Sequence, residues 1–324
     1  LEQIIVVTDA RGRGVRKGDL SFWEEISRVP DRFAAVPLSL EDPLAIQYTS
    51  GATGLPKGAV WSHRLALVIW PYMKYALDLQ PEDMFWGAAD PGWAYGLIVC
   101  VCQPLLFGNS IILYEPLFTP EGCYRAMEKY RVTNFTYAPT AYRALMAAGD
   151  ELRRRFDINL RVASSAGEPL NPEVIEWFRR NFGIPIYDHY GLTECGMLIN
   201  NYHAADMTVK SGSMGLPTPG FEVALVDDQG NPVPRGQLGQ IALNMRDRRS
   251  VWFLGYYQDP EKTAERRRGD WFLSGDVAVQ DEDGYFWFQG RDDDIITSAG
   301  YRIGPFEIES TLIEHPAVAE AAVV

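Results

Sequence analysis

Asn171-Pro-Glu-Val174-Ile175-Glu-Trp-Phe178-Arg-Arg-Asn-Phe-Gly183-Ile-Pro-Ile186-Tyr-Asp188-His189-Tyr190-Gly191 is the stretch whose reading decides the fold. Asn171 is a favoured N-cap, Pro172 suits the first helical position, and Val174, Ile175 and Phe178 share one face. Gly183 supplies the left-handed stop, so a helix is predicted between them. A strand-like run from Ile186 follows at once and ends in a glycine turn. The same alternation lies upstream: Ser110-Ile-Ile-Leu-Tyr114 reads as a strand, Thr119-Pro120-Glu121 opens a helix, and Asn134-Phe-Thr-Tyr137 reads as the next strand. Strands alternating with capped helices predict an α/β fold with a doubly wound sheet over residues 1–205.

Beyond residue 206 the helical period fades. Short runs such as Glu222-Val-Ala-Leu-Val226 and Gln240-Ile-Ala-Leu243 are divided by turns rich in Gly, Pro and Asp, which predicts a small β-barrel or sandwich over 206–290. After Arg291-Asp-Asp-Asp294 the pattern changes again, to Ile295-Ile296, a turn at Gly300 and a helix from about Pro305. Residues 291–324 therefore read as a hinge and the start of a small α+β C-terminal domain. The run at Val323-Val324 is strand-like with nothing left to pair with, so that domain reads as cut short. Near the other end, Ile4-Ile-Val-Val7 before Gly12 and Gly14 imitates a dinucleotide fingerprint. Its third glycine is one residue late and bulky cations fill the turn, so it reads as a solvated charged turn.

Tyr48-Thr49-Ser50-Gly51-Ala52-Thr53-Gly54-Leu-Pro-Lys57-Gly58 concentrates hydroxyls, spaced glycines and a lysine. Gly51 and Gly54 let backbone N–H groups approach phosphate oxygens, Thr49, Ser50 and Thr53 add donors, and Lys57 adds charge. The loop reads as a nucleotide clamp. It is not a Walker loop, since Gly58 stands where that pattern requires a hydroxyl after the lysine. Ala59-Val60-Trp61 reads as extended, with a helix starting at Ser62 as N-cap. In an open α/β sheet, ligands sit beyond the carboxyl ends of the strands, so the turn Asp188 to Gly196 is placed to face the clamp. There Thr193 can donate to a phosphate and Glu194 can hold Mg²⁺, which takes one or two carboxylates plus substrate phosphates. The competing reading of this segment is a polar helix start capped by Thr193.

Composition bounds the function. The 324 residues are 47% hydrophobic, enough for a large core and more than one domain. A net charge of −13 argues against a nucleic-acid partner, because the phosphate backbone calls for a basic face. The longest apolar run, Gly96 to Cys102, is far short of the roughly 20 residues of a membrane span. Four cysteines without framework spacing predict a reducing, cytoplasmic setting and no structural zinc.

Taken together, the clamp, the Tyr190-Gly191-Leu192-Thr193-Glu194 turn, Gly167-Glu168-Pro169, Leu273-Ser-Gly-Asp276 and the blocks Gly290-Arg291-Asp-Asp293 and Gly300-Tyr-Arg302-Ile-Gly resemble the adenylate-forming superfamily, most closely its medium-chain acyl-CoA synthetases. The similarity runs from about Pro43 to the end. It implies an AMP-forming ligase that uses ATP, Mg²⁺ and CoA on a carboxylic acid. By that resemblance Thr49, Ser50, Gly51, Thr53, Gly54 and Lys57 hold the β- and γ-phosphates, and Gly167, Glu168 and Pro169 line the adenine pocket. Asp188, His189, Tyr190, Gly191, Leu192 and Thr193 wrap adenine and the α-phosphate. Asp276 accepts the ribose hydroxyls, assisted by Arg291. Arg302 contacts the phosphates, Asp293 is the hinge and Gly300 borders the CoA tunnel. Lys57, Thr193, Glu194 and Arg302 form the catalytic set. Trp93, Gly96 and Gly191 face the acyl group; a glycine at 191, where acetate-activating relatives carry Trp, leaves room for a medium-chain, branched or aromatic acid.

Two departures qualify this picture. Ala52 replaces a hydroxyl residue of the clamp, and no lysine follows Lys262, whereas the superfamily uses a late catalytic lysine. The chain therefore reads as a central fragment that adenylates poorly by itself. Rival readings are a noncatalytic adenylate-binding module, a phosphate-loop hydrolase and, within the superfamily, an aryl-CoA ligase or a peptide-synthetase adenylation domain.

Overall fold

The computed structural model describes residues 4–7, 16, 18–49, 56–247, 251–294, 296–298, 301–303, 305–313, 315, 318 and 321–323. They divide into two compact units, residues 1–39 and 40–324. In the first, β1 (Ile5–Val6) pairs in parallel with β2 (Leu20–Ser21), which leads into the helix Phe22–Arg28. Gly12 and Gly14 lie outside the described residues.

The second unit opens with a hairpin of β3 (Pro43–Thr49) and β4 (Lys57–Ser62), whose register sets Thr49 opposite Lys57. Ser62 does not start a helix. It pairs with Pro43, and its N–H bonds to Trp252 at 2.9 Å, so the helix begins only at Leu65. Next come β5 (Met84–Gly87), β6 (Ser110–Ile111), β7 (Asn134–Tyr137), β8 (Val162–Ala166), β9 (Ile186–Leu192), β10 (Gly196–Asn200) and β11 (Leu216–Pro217). They form one sheet in the order β11-β10-β9-β8-β7-β5-β6, parallel from β6 to β9 and antiparallel at β10 and β11. The expected strand Ser110–Tyr114 shrinks to two residues.

The crossover helices Pro120–Tyr130, Pro139–Ala147 and Pro172–Phe182 bring Tyr124, Tyr142 and Phe178 into one core with Trp86 and Phe135. Phe85, the neighbour of Trp86, points the other way, into a core with Tyr72, Met73 and Val99. Successive strand side chains alternate between faces, so both faces of the sheet are covered, which is the doubly wound arrangement. Gly183 ends the third helix at φ 77°, as its sequence requires.

The remaining strands are β12 (Val223–Val226), β13 (Leu238–Asn244), β14 (Phe253–Tyr256), β15 (Arg267–Arg268), β16 (Trp271–Gln280) and β17 (Phe286–Arg291). β12, β13 and β16 pair in that order, and β15 and β17 both join β16. Among the described residues this sheet stays open, as half a barrel. β14 leaves it and pairs with β4. Finally β18 (Ile296–Ser298) and β19 (Tyr301–Ile303) form a hairpin before the helix Pro305–Ile313. The sequence places boundaries at 205 and 290. The change of sheet falls after β11, and 40–324 is a single compact unit.

Candidate active site

The carboxyl ends of β8 and β9 open into a cleft of about 630 Å³. β8 delivers Gly167, Glu168 and Pro169 to its wall, and β9 delivers Asp188 through Leu192. The turn between β9 and β10 adds Thr193 and Glu194; this turn is a hairpin, and no helix starts at Thr193. From the first hairpin come Thr49 and Lys57, and from the half-barrel Asp276 and Arg291, register partners across β16 and β17. Four separate parts of the chain thus converge on one crevice.

The acidic side chains differ in their surroundings. Asp276 accepts a hydrogen bond from the Tyr190 hydroxyl at 2.6 Å and faces Arg291 at 3.5 Å. Burial raises its pKa, against the opposing pull of Tyr190 and Arg291. Asp188 is buried more deeply, with one side-chain oxygen lacking a hydrogen-bond partner, and burial pushes its pKa well above the usual carboxylate range. Glu194 accepts a 2.6 Å bond from the Tyr256 hydroxyl. The same Tyr256 ring lies 5.5 Å from the Lys57 ammonium, whose pKa is lowered by burial and then by Arg266 and Lys262.

The His189 imidazole is committed to the core. Its Nε2 donates to the Asn201 carbonyl at 2.9 Å, which leaves Nδ1 to accept from Tyr72 at 3.0 Å. Burial drives its pKa down to about 3, so the ring is neutral. Its contribution to the cleft is therefore structural. Glu168 is tied at the rim by Thr140 at 2.6 Å and Arg143 at 3.0 Å.

A second, apolar cavity of about 240 Å³ adjoins the cleft and shares Trp93, Gly167, Gly191, Leu192 and Thr193 with it. Its far walls include Leu65, Ile98, Met197 and Trp252. Gly191 borders both cavities, and a Cβ there would fall 2.4 Å from the Gly196 carbonyl oxygen, so a side chain at 191 requires the paired strand of this hairpin to shift. Gly96, expected in the acyl pocket, lines neither cavity. A Cβ at Gly96 would meet the Asp90 carbonyl oxygen at 2.0 Å, so close packing of the turn onto the helix accounts for that glycine.

Other expected positions fall elsewhere. Ser50, Gly51, Thr53, Gly54 and Gly300 lie outside the described residues, as does the side chain of Arg302, whose backbone belongs to β19. Asp293 follows β17, with its carboxylate 3.5 Å from Arg291. Sequence reasoning missed Tyr256 and Arg266. A tyrosine in Gly255-Tyr256-Tyr257 carries no signal of its own, and Arg266 is one of three consecutive arginines that match no motif. The site contains the acceptors that ribose hydroxyls need, cations for phosphates and an adjoining apolar chamber.

A family profile described as AMP-binding enzyme matches residues 2–257. Acetyl-coenzyme A synthetase from Bacillus subtilis is 44% identical over 88% of this chain and 50% of its own length. Acyl-coenzyme A synthetase ACSM3, mitochondrial, from Mus musculus is 41% identical over 95% of this chain and 53% of its own. The crystal structure of the anthranilate CoA ligase AuaEII in complex with anthranoyl-AMP matches with a TM-score of 0.89 at 32% identity, covering 100% of this chain and 61% of that one. The chain spans about half the length of the curated relatives it matches.

Proposed function

Because this chain belongs to the AMP-binding enzyme family, we propose that it carries the nucleotide and acyl sites of an AMP-forming acyl-CoA synthetase. That protein converts a carboxylic acid to an acyl-adenylate with ATP and passes the acyl group to CoA. One observation carries the reading: the polar cleft and the apolar cavity meet at Gly191–Thr193, where an acyl group and an α-phosphate would be joined.

The reaction brings an anion to a polyanion, so charge neutralisation is the main task. A carboxylate oxygen attacks the α-phosphorus, the bond to the bridging oxygen breaks, and its electron pair leaves with pyrophosphate. Lys57, the Thr193 hydroxyl and Arg302 would spread that charge. Asp276 would accept from both ribose hydroxyls, since an ionised carboxylate has only acceptors to offer. Glu194, a lone carboxylate held by Tyr256, fits Mg²⁺, which would neutralise phosphate oxygens. The clamp residues Ser50, Gly51, Thr53 and Gly54 would add donors to the β- and γ-phosphates. Asp293 as hinge and Gly300 at the CoA tunnel belong to the second half-reaction.

The acyl cavity favours a medium-chain, branched or aromatic acid, each buried methylene contributing about 0.8 kcal/mol. No helix among the described residues is long and apolar enough to cross a membrane, and a cytoplasmic location remains our proposal alongside a mitochondrial relative.

Acyl sulfamoyl adenosines, which replace the labile phosphate anhydride, test the reading by calorimetry on this chain. The octanoyl and benzoyl compounds are expected to bind at least tenfold tighter than AMP. Equal affinity for AMP and every acyl compound would remove the acyl site.

A further inference from the structure

Beside the nucleotide cleft lies a separate polar cavity of about 320 Å³, whose walls carry Lys57, Lys262, Arg266, Arg268 and Arg291. In a chain of net charge −13, that concentration of cations is unusual. Three carboxylates also reach it, Glu265, Asp292 and Asp293, leaving cations in excess. The guanidinium of Arg268 donates to the carbonyls of Asp228, Glu265 and Arg267, and that of Arg266 to the carbonyl of Ser274. Those bonds fix the groups in place without cancelling their charge. Arg266 and Arg291 also approach each other around Gly275, where a Cβ would lie 2.5 Å from one guanidinium and 3.4 Å from the other. Arg291 faces Asp276 and Asp293, each at 3.5 Å, yet five cations against three carboxylates in one wall point to an anion arriving from outside.

The cavity shares Lys57, Arg266 and Arg291 with the nucleotide cleft. An anion leaving the α-phosphorus past Lys57 would therefore meet this basin next. We propose that the basin receives inorganic pyrophosphate, the leaving group, as a station between the reacting phosphorus and solvent. The occupant rests on the function proposed above; the anion site rests on the cations themselves. A diphosphate carries anionic oxygens on both phosphorus atoms and can face several cations at once, which a single chloride cannot.

Lys262 separates the basin from the cleft, because it lines the first and not the second. Calorimetry would measure binding of inorganic pyrophosphate and, separately, of AMP to the wild-type chain and to Lys262→Gln and Lys262→Glu. Pyrophosphate affinity is expected to fall about threefold with Gln and at least tenfold with Glu, while AMP affinity stays within twofold. Should both variants bind pyrophosphate as the wild type does, or the wild type not bind it, the basin is no such station. A wild type that binds pyrophosphate with the Lys262 dependence but never binds AMP would instead overturn the proposed function and leave the anion site standing.

Discussion

Replacing Asp276 by Asn changes one oxygen to an amide and removes a charge without altering shape. In the wild type, one carboxylate oxygen accepts from Tyr190 at 2.6 Å and the other faces Arg291 at 3.5 Å. A bound ribose would direct two hydroxyls at the same group. Hydrogen bonds to a charged acceptor contribute about 1.5–3 kcal/mol and neutral ones about 0.5–1.5 kcal/mol. Asn keeps one acceptor, now neutral, and presents an N–H₂ to the second hydroxyl. The loss is about 2–4 kcal/mol, or roughly 30- to 700-fold in AMP dissociation constant. The fold should not suffer. Burial raises the Asp276 pKa, so the folded chain holds the proton more tightly than the unfolded chain. Its contribution to stability is complete below the ordinary carboxylate pKa and is lost as pH rises through the raised value, and Asn abolishes that slope. Ribose binding has the opposite sign, needing the ionised form, so wild-type AMP affinity improves as pH rises through the same window. Calorimetry with AMP, paired with thermal melts at several pH values, measures both. An Asp276→Asn chain that melts normally and binds AMP within threefold of wild type would refute the ribose assignment.

Two further outcomes are expected. Tyr256→Phe keeps the ring beside Lys57 and frees Glu194 from its 2.6 Å donor, so Mg²⁺-dependent ATP binding should weaken by about 1–2 kcal/mol while AMP binding holds, measured by titration with and without the metal. For Lys57, whose pKa is lowered by burial and neighbouring cations, the charge is lost earlier than usual as pH rises; ATP affinity should decline on the alkaline side, and Lys57→Arg should move that decline to higher pH, a shift whose absence would exclude Lys57 from the phosphates.

The parts legible in sequence were those governed by local rules. Thr119 and Asn171 mark helix starts, Gly183 marks a stop, and the period-two alternation at Asn134–Tyr137 gives a strand because each signal acts within a few residues. What failed depended on distant partners. Ser62 has an N-cap side chain, yet the strand it belongs to is continued by Pro43 and Trp252, far away in the chain. Thr193 resembles a cap for the same reason, but β10 folds back onto β9 and makes a hairpin. Among the described residues the half-barrel stays open while β14 pairs with β4, a pairing that no short-range pattern encodes. Tyr256 and Arg266 were invisible on the same grounds: their roles arise only where β14 and β16 meet the sheet.

The β9–β10 hairpin explains why the two cavities must be treated as one device. Gly191 forms the wall between them, and a side chain there would require the paired strand carrying the Gly196 carbonyl to shift. Gly196 is constrained in turn, with φ 74° and a would-be Cβ 1.9 Å from the Trp252 ring. Trp252 lines the apolar cavity, and its carbonyl accepts the N–H of Ser62 at the end of β4, the strand that Lys57 begins. The Trp61 indole on that strand donates to the Thr193 carbonyl at 2.9 Å. Lys57, Thr193 and the wall of the apolar cavity are therefore joined by a closed ring of short contacts. A substitution anywhere in that ring that alters acyl size preference should also alter nucleotide affinity, whereas one at Leu65 or Ile98, outside it, should change the acid alone.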